Sequence, residues 1–188
     1  MPQHRTFEFK AGARCLDLVD TVASRASEPL DLLSTTDDLA RWLRLAGFVP
    51  LPREPVKAKD LGATKLLREA IYRVAKAISA GTAPRGADIQ VINTVALKSA
   101  ARPQLTDGVV TYCAAHPMDA ALAAIAADAI EHFSVEHRDR IRTCPQCQML
   151  FFDTSRPGRR RWCSSASGCG NRAKVRRYRQ ARQAELQT

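Results

Sequence analysis

Four cysteines have the type and spacing of a metal site: Cys144-Pro-Gln-Cys147, then fifteen residues, then Cys163-Ser-Ser-Ala-Ser-Gly-Cys169. In a C-x2-C pair a tight turn lets both sulfurs and successive backbone N–H groups converge on one point. Zinc completes its tetrahedron with four such donors at about 2.3 Å from sulfur. Two pairs about fifteen residues apart lie within the usual spacing of structural zinc sites. The second pair encloses five residues, so it is not a repeat of the first knuckle. That spacing predicts Cys163 in a loop and Cys169 at the first turn of a closing helix. Four thiolates leave no open position for water, so the expected cofactor is one structural Zn²⁺ (tetrahedral sulfur accepts iron as well). The competing readings are two disulfides, four unrelated thiols, or a redox pair at Cys144 and Cys147. A reducing compartment disfavours the first, and no βαβ pattern surrounds the pair to favour the last.

The same stretch concentrates the charge. Residues 1 to 140 hold 18 Lys/Arg against 17 Asp/Glu, and residues 141 to 188 hold 11 against 2, which places +9 of the net +10 there. Such a field draws polyanions. The candidate contacts are Arg156, Arg159, Arg160 and Arg161 before Cys163, and Arg172, Lys174, Arg176, Arg177, Arg179 and Arg182 after Cys169. At 100° per residue Arg172, Arg176, Arg179 and Arg182 fall within an arc of about 120° on a helix. A planar guanidinium can bond two phosphate oxygens at once. The bland alternative is a solvated basic surface with no partner.

The elements that must position these residues divide into a near-neutral body, residues 1–139, and a basic module, 140–188. A 49-residue module buries too little to fold without its metal. The body reads as mostly helical. A Thr-capped helix runs from Thr36 to Ala46, with Asp37 and Asp38 at its positive end and Gly47 as its stop. Apolar residues recur at three and four over 57–80 and 86–100, and a fourth, alanine-rich helix runs from Pro117 to about Arg138. Asp107-Gly108 between short apolar runs predicts a two-residue hairpin. Phe7 to Phe9 and Cys15 to Val19 are further strand candidates, the second equally the start of a helix. In the module, Ile141-Arg142-Thr143 enters the knuckle and Met149-Leu150-Phe151-Phe152 leaves it, a short hairpin whose apolar side covers the metal, with Trp162 packed over it. The fold class is therefore α+β: a helical body with a small β-sheet, then a treble-clef-like finger of hairpin knuckle and helix.

Other residues carry weaker signals. Cys113-Ala-Ala-His116 has ligand spacing but lacks two further ligands, and His132 and His137 diverge by roughly 140° on a helix. Asp17 and Asp20 are candidate ligand-binding acids, or caps and salt-bridge partners of the first elements. No Ser-His-Asp set, phosphate-cradling glycine loop or dinucleotide fingerprint occurs, so an enzyme is not expected. No apolar run approaches the roughly 18 residues of a membrane span, and MPQHRTFEFK lacks a secretory core, so a cytoplasmic protein is expected.

The run CPQCQMLFFDTSRPGRRRWCSS…CGNRAKVRRYRQAR resembles the CGNR zinc finger, from the cysteine pair and LFxD-S-R through Trp-Cys to Cys169-Gly170-Asn171-Arg172 and a basic helix. The Cys163–Cys169 spacing is one residue longer than is usual there. Leu16-Asp17-Leu18-Val19-Asp20-Thr21, the Leu39–Leu43 helix and Ile92-Asn93 resemble the ABATE-type domain that precedes such fingers in bacterial transcription regulators, although Asp20 stands where that family has Asn. The resemblance implies a zinc-dependent nucleic-acid-binding protein, with DNA favoured over RNA. It also implies an α/β N-terminal domain of regulatory role; that domain is expected to sense or dimerise, which makes a homodimer and a small-molecule effector candidate partners. The alternatives are a zinc-stabilised protein-interaction module, or a small-molecule binder or enzyme working through the body.

Overall fold

The computed structural model describes residues 6–52, 54–164 and 168–185. Helices α1 (Arg14–Val19), α2 (Thr36–Leu45), α3 (Ala58–Ser79), α4 (Gly86–Ala96) and α5 (Pro117–Phe133) make the body. Three antiparallel two-stranded pairs accompany them: β1 (Val22–Ala23) with β2 (Leu30–Asp31), β3 (Arg102–Thr106) with β4 (Val109–Cys113), and β5 (Ile141–Thr143) with β6 (Leu150–Phe152). Helix α6 (Cys169–Glu185) closes the described chain. The expected β content is thus three separate ladders. Residues Phe7 to Phe9 are not a strand; Phe7 is instead buried in the core beneath the Arg41 guanidinium, 4.7 Å from its ring centre.

Local chemistry sets most helix ends. Thr35 caps α2: its side chain accepts from the Asp38 N–H at 3.1 Å, while the Asp38 carboxylate accepts from the Thr35 N–H at 3.0 Å. Helix α1, like α4 and α5, has no side-chain cap at its own N-cap residue, but it takes one from a distant helix. Its Cys15 N–H donates to the Asp128 carboxylate on α5, 2.8 Å away and 113 residues further along the chain. A borrowed cap explains why Cys15–Val19, open between strand and helix in sequence, becomes helix. Cys15, Leu16, Leu18 and Val19 are then buried against α3 and the alanine-rich face of α5. Alanines there let neighbouring helices approach closely without leaving voids.

A polar lattice pins β2 to α3. The Arg68 side chain, 5% exposed, donates to Thr21 Oγ1 and to both Asp31 oxygens, and its Nε donates to Glu69. Glu69 also receives both Nη groups of Arg25 at 2.9 Å. Partial burial pushes Asp31 upward, yet bonds from Arg68 and Lys65 outweigh it and bring the carboxyl down to about 2.

The body core does not stop at residue 139. Strand β6 alternates its side chains, so Leu150 and Phe152 enter the body core with Ile141, while Phe151 turns the other way toward the cysteines. The Phe152 N–H donates to the Ala11 carbonyl at 2.7 Å, and Phe152 meets the His132 ring edge-on at 4.4 Å. Ser79 and Thr143 share a hydroxyl hydrogen bond of 2.8 Å. Gly12 makes the close approach possible: it takes φ +85°, and a Cβ there would lie 2.5 Å from the Phe152 carbonyl oxygen.

Candidate metal centre and basic surface

The Sγ atoms of Cys144, Cys147, Cys163 and Cys169 lie within 4.8 Å of one another. Cys147 and Cys163 are 3.5 Å apart at sulfur, near the edge of a tetrahedron with about 2.3 Å zinc–sulfur bonds and far beyond a bonded disulfide at about 2.05 Å. All four are free thiols, three of them buried and Cys147 half-buried. The donor set fits one structural zinc ion, with Phe151, Trp162 and Met149 as the apolar shell around it.

Each ligand has a local reason for its place. The knuckle turns through Gln148, whose φ of +62° brings its N–H to the Cys144 carbonyl at 2.8 Å. Burial pushes the Cys144 thiol up, but N–H groups of Cys163, Cys147 and Gln146 outweigh it and lower the pKa. Cys147 is driven strongly upward, first by burial and further by its three sulfur neighbours. Four thiolates so placed need a cation between them, which is the role zinc supplies. Cys169 opens α6, as its spacing predicts. Residues 165–167 lie outside the described residues; after them Gly168, at φ +61°, accepts the Arg172 N–H at 3.0 Å and starts the helix. Trp162 lies against the first turn, where a Cβ on Gly170 would be 3.3 Å from its ring.

Asp153 organises the arginine loop. Fully buried, it accepts from the Ser155 N–H at 3.0 Å, the Ser155 hydroxyl at 2.6 Å and the Arg160 N–H at 2.7 Å. Burial pushes its pKa up, but these bonds and the Arg160 charge carry it below the usual carboxylate range. Arg140 adds bonds to the Asp153 and Ser155 carbonyls at 2.9 and 2.8 Å. Sequence reasoning alone assigns Asp153 no role; the signal for it is the D-x-S spacing of a side-chain turn.

The ten basic candidates separate into two groups. Arg160 stacks over Phe151 at 4.6 Å and donates to the Phe152 carbonyl at 3.2 Å. Arg172 reaches Cys169 Sγ at 3.7 Å, and Arg176 donates to Gln146 on the knuckle at 2.9 Å. Those three tie loop and helix to the zinc site. Arg156, Arg159, Arg161, Lys174, Arg177, Arg179 and Arg182 are exposed. From Lys174 to Gln183 every residue of α6 is exposed, so the helix leaves the fold after Ala173.

Asp17 and Asp20 are not brought to one site. Asp17 accepts the Ala11 N–H at 2.9 Å and lines a recess beside Trp42. Asp20 lines a cleft of about 570 Å³ where the body meets the knuckle, with Glu8, Tyr72, Cys147 and Arg172. Burial raises Asp17 to about 6 and Asp20 to about 7, the latter helped by repulsion from Glu8 and Asp17. A second ligand-like group, Cys15, Asp128 and His132, is held by the helix cap already described, and burial beside Asp128 raises the Cys15 thiol well above normal. Cys113 is exposed and bonds Gln104, apart from either group. Helix α5 stops at Phe133 rather than near Arg138, so His137 lies off the helix and its ring comes to 6.4 Å from that of His132 instead of diverging from it. Among the described residues no helix is long and apolar enough to cross a membrane.

Comparison with known families agrees with this geometry. The ABATE family model, described as "Putative stress-induced transcription regulator", matches residues 12–136, and the CGNR zinc finger model matches residues 140–182. No curated protein matches the chain. With two-thirds of its length matched by the first model and its four cysteines gathered in the second, the chain belongs to the ABATE family and carries a CGNR zinc finger.

Proposed function

We propose that this chain is a DNA-binding transcription regulator, a binding protein rather than an enzyme. In this reading zinc holds the arginine loop and α6 against phosphates. The observation that carries it is the exposed, cationic course of α6 beyond Ala173. A helix with no packed face and like charges along it gains little from its own fold, because short isolated helices are marginal in water. A polyanion supplies the missing counter-charge and rewards the exposed guanidinium groups. An α-helix fits the DNA major groove, whereas RNA recognition favours aromatic stacking platforms that the finger lacks among its described residues. Arg160, Arg172 and Arg176 act in this reading as braces, leaving Arg156, Arg159, Arg161, Lys174, Arg177, Arg179 and Arg182 for the phosphates. The half-open cleft at Asp20 is where a small effector would touch body and knuckle together, through Cys147 and Arg172 on its wall.

The test is fluorescence anisotropy of a mixed-sequence DNA duplex across a salt titration, using zinc-loaded protein. Five or six phosphate contacts give a slope of about −5 for log affinity against log salt. Replacing Arg179 and Arg182 with alanine should reduce that slope by roughly 2 while the far-UV spectrum and zinc content stay unchanged. Absence of binding even at about 50 mM salt would sink the proposal and favour an acidic protein partner.

A further inference from the structure

Strands β3 and β4 form a hairpin in which all ten residues are exposed. Its two turn residues, Asp107 at φ +49° and Gly108 at φ +77°, make the left-handed turn that suits hairpins. Such a turn makes Thr106 and Val109 a hydrogen-bonded pair, and the pairing then alternates along the register. One face carries Pro103, Leu105, Val110 and Tyr112, and the other is mostly polar. Contacts across the polar face agree, with Thr106 Oγ1 and Cys113 Sγ each 3.3 Å from its diagonal partner, Thr111 and Gln104. On the apolar face Leu105 is 76%, Val110 60% and Tyr112 46% exposed. A lone two-stranded hairpin is marginal in water, and a sheet with one apolar face needs further strands or cover.

The two edges are not equivalent. Outward-facing main-chain groups on β3 belong to residues 103 and 105, and Pro103 has no N–H to offer. On β4 they belong to Val110 and Tyr112, within the uncharged run Val-Val-Thr-Tyr-Cys. That edge has no proline, lysine or inward charge of the kind that guards exposed strands.

We propose that β4 pairs antiparallel with β4 of a second copy, giving a four-stranded sheet and a homodimer. A two-fold axis through Thr111 sets Val110 opposite the partner's Tyr112, and Tyr112 opposite the partner's Val110. Those are the residues whose N–H and C=O groups point outward, so the register closes on itself. Thr111 meets its own copy as a non-hydrogen-bonded pair. Charge favours this meeting as well: the protein carries +10, yet residues 103–116 hold one Asp and no Lys or Arg. The two apolar faces merge beside the groove that Tyr112 shares with Phe48, Val49, Pro50 and Ala124. A five-residue edge spans about 17 Å and buries less than the roughly 800 Å² per partner of a tight interface, so micromolar association is expected. This pairing goes beyond the DNA reading and does not depend on it.

The experiment is sedimentation velocity of the full zinc-loaded chain, monomer mass 20.7 kDa, from about 1 to 200 µM. A dimer should accumulate with concentration, and Val110→Lys, at an exposed position, should weaken it at least about tenfold without lowering the melting temperature. In a Cys113→Ser background, Thr111→Cys should form an interchain disulfide under oxidised glutathione, because non-hydrogen-bonded partners lie about 4.5 Å apart at Cα. Thr106→Cys, equally exposed but off the axis, should not. A wild-type monomer at every concentration overturns the proposal and leaves the face to a different protein. A dimer that survives Val110→Lys and fails to cross-link at 111 overturns it too.

Discussion

Gly12→Ala is the sharpest probe of how the finger is joined to the body. Gly12 sits at φ +85°, and a methyl group there would stand 2.5 Å from the Phe152 carbonyl oxygen. Holding alanine at positive φ costs roughly 1–2 kcal/mol. Relief of the clash moves β6 away and stretches the 2.7 Å bond from the Phe152 N–H to the Ala11 carbonyl, worth about 1 kcal/mol. Partial exposure of Phe152 and Leu150 adds roughly another 1 kcal/mol. The expected loss is therefore about 3–4 kcal/mol. Urea unfolding of zinc-loaded protein, followed by far-UV circular dichroism and by zinc release to a chromophoric chelator, measures it. In the wild type both signals should move in one transition, since Ile141, Leu150 and Phe152 belong to the body core. In the variant both should shift to lower urea. A change below about 0.5 kcal/mol, or separate wild-type transitions for body and finger, would refute the shared core.

Three further outcomes follow from named residues. Cys147→Ser removes a ligand from the half-buried corner of the site and should weaken zinc by more than about 100-fold in a chelator competition, lowering the body's melting temperature as well. Asp153→Ala strands the Ser155 and Arg160 N–H donors and should cost about 2–5 kcal/mol in denaturant unfolding, with zinc still bound. Asp20 is raised from an ordinary 3.8 to about 7 in the folded protein, so folding holds its proton more tightly than the unfolded chain does. The stability it confers is complete below the unfolded value and is lost as pH rises to about 7. Asp20→Asn should therefore gain on the wild type between about pH 4 and 7, and a gap that stays constant over that window would contradict the burial argument.

The zinc site and the family are legible in the residue order because their signals are short-range. Cys144-x2-Cys147, the start of a helix at Cys169, the Asp107-Gly108 turn and the apolar periods of α3, α4 and α5 each lie within a few residues of chain. A turn closes or a helix face forms according to spacing alone, so the local sequence carries the information. Packing of Ile141, Leu150 and Phe152 into the body core crosses the boundary expected at 139/140.

What only the tertiary structure decided are meetings between residues far apart in the chain. No pattern near Cys15 announces a cap from Asp128, nor does any near Gly12 announce the Phe152 carbonyl pressed against it. Asp17, on α1, and Asp20, just past its end at Val19, line different recesses. The ten basic residues look alike in sequence, yet Arg160 is half-buried against Phe151, and Arg172 and Arg176, though exposed, are tied to Cys169 and Gln146. Local spacing selects an element and its apolar face; which partner covers that face depends on every other element packing at once.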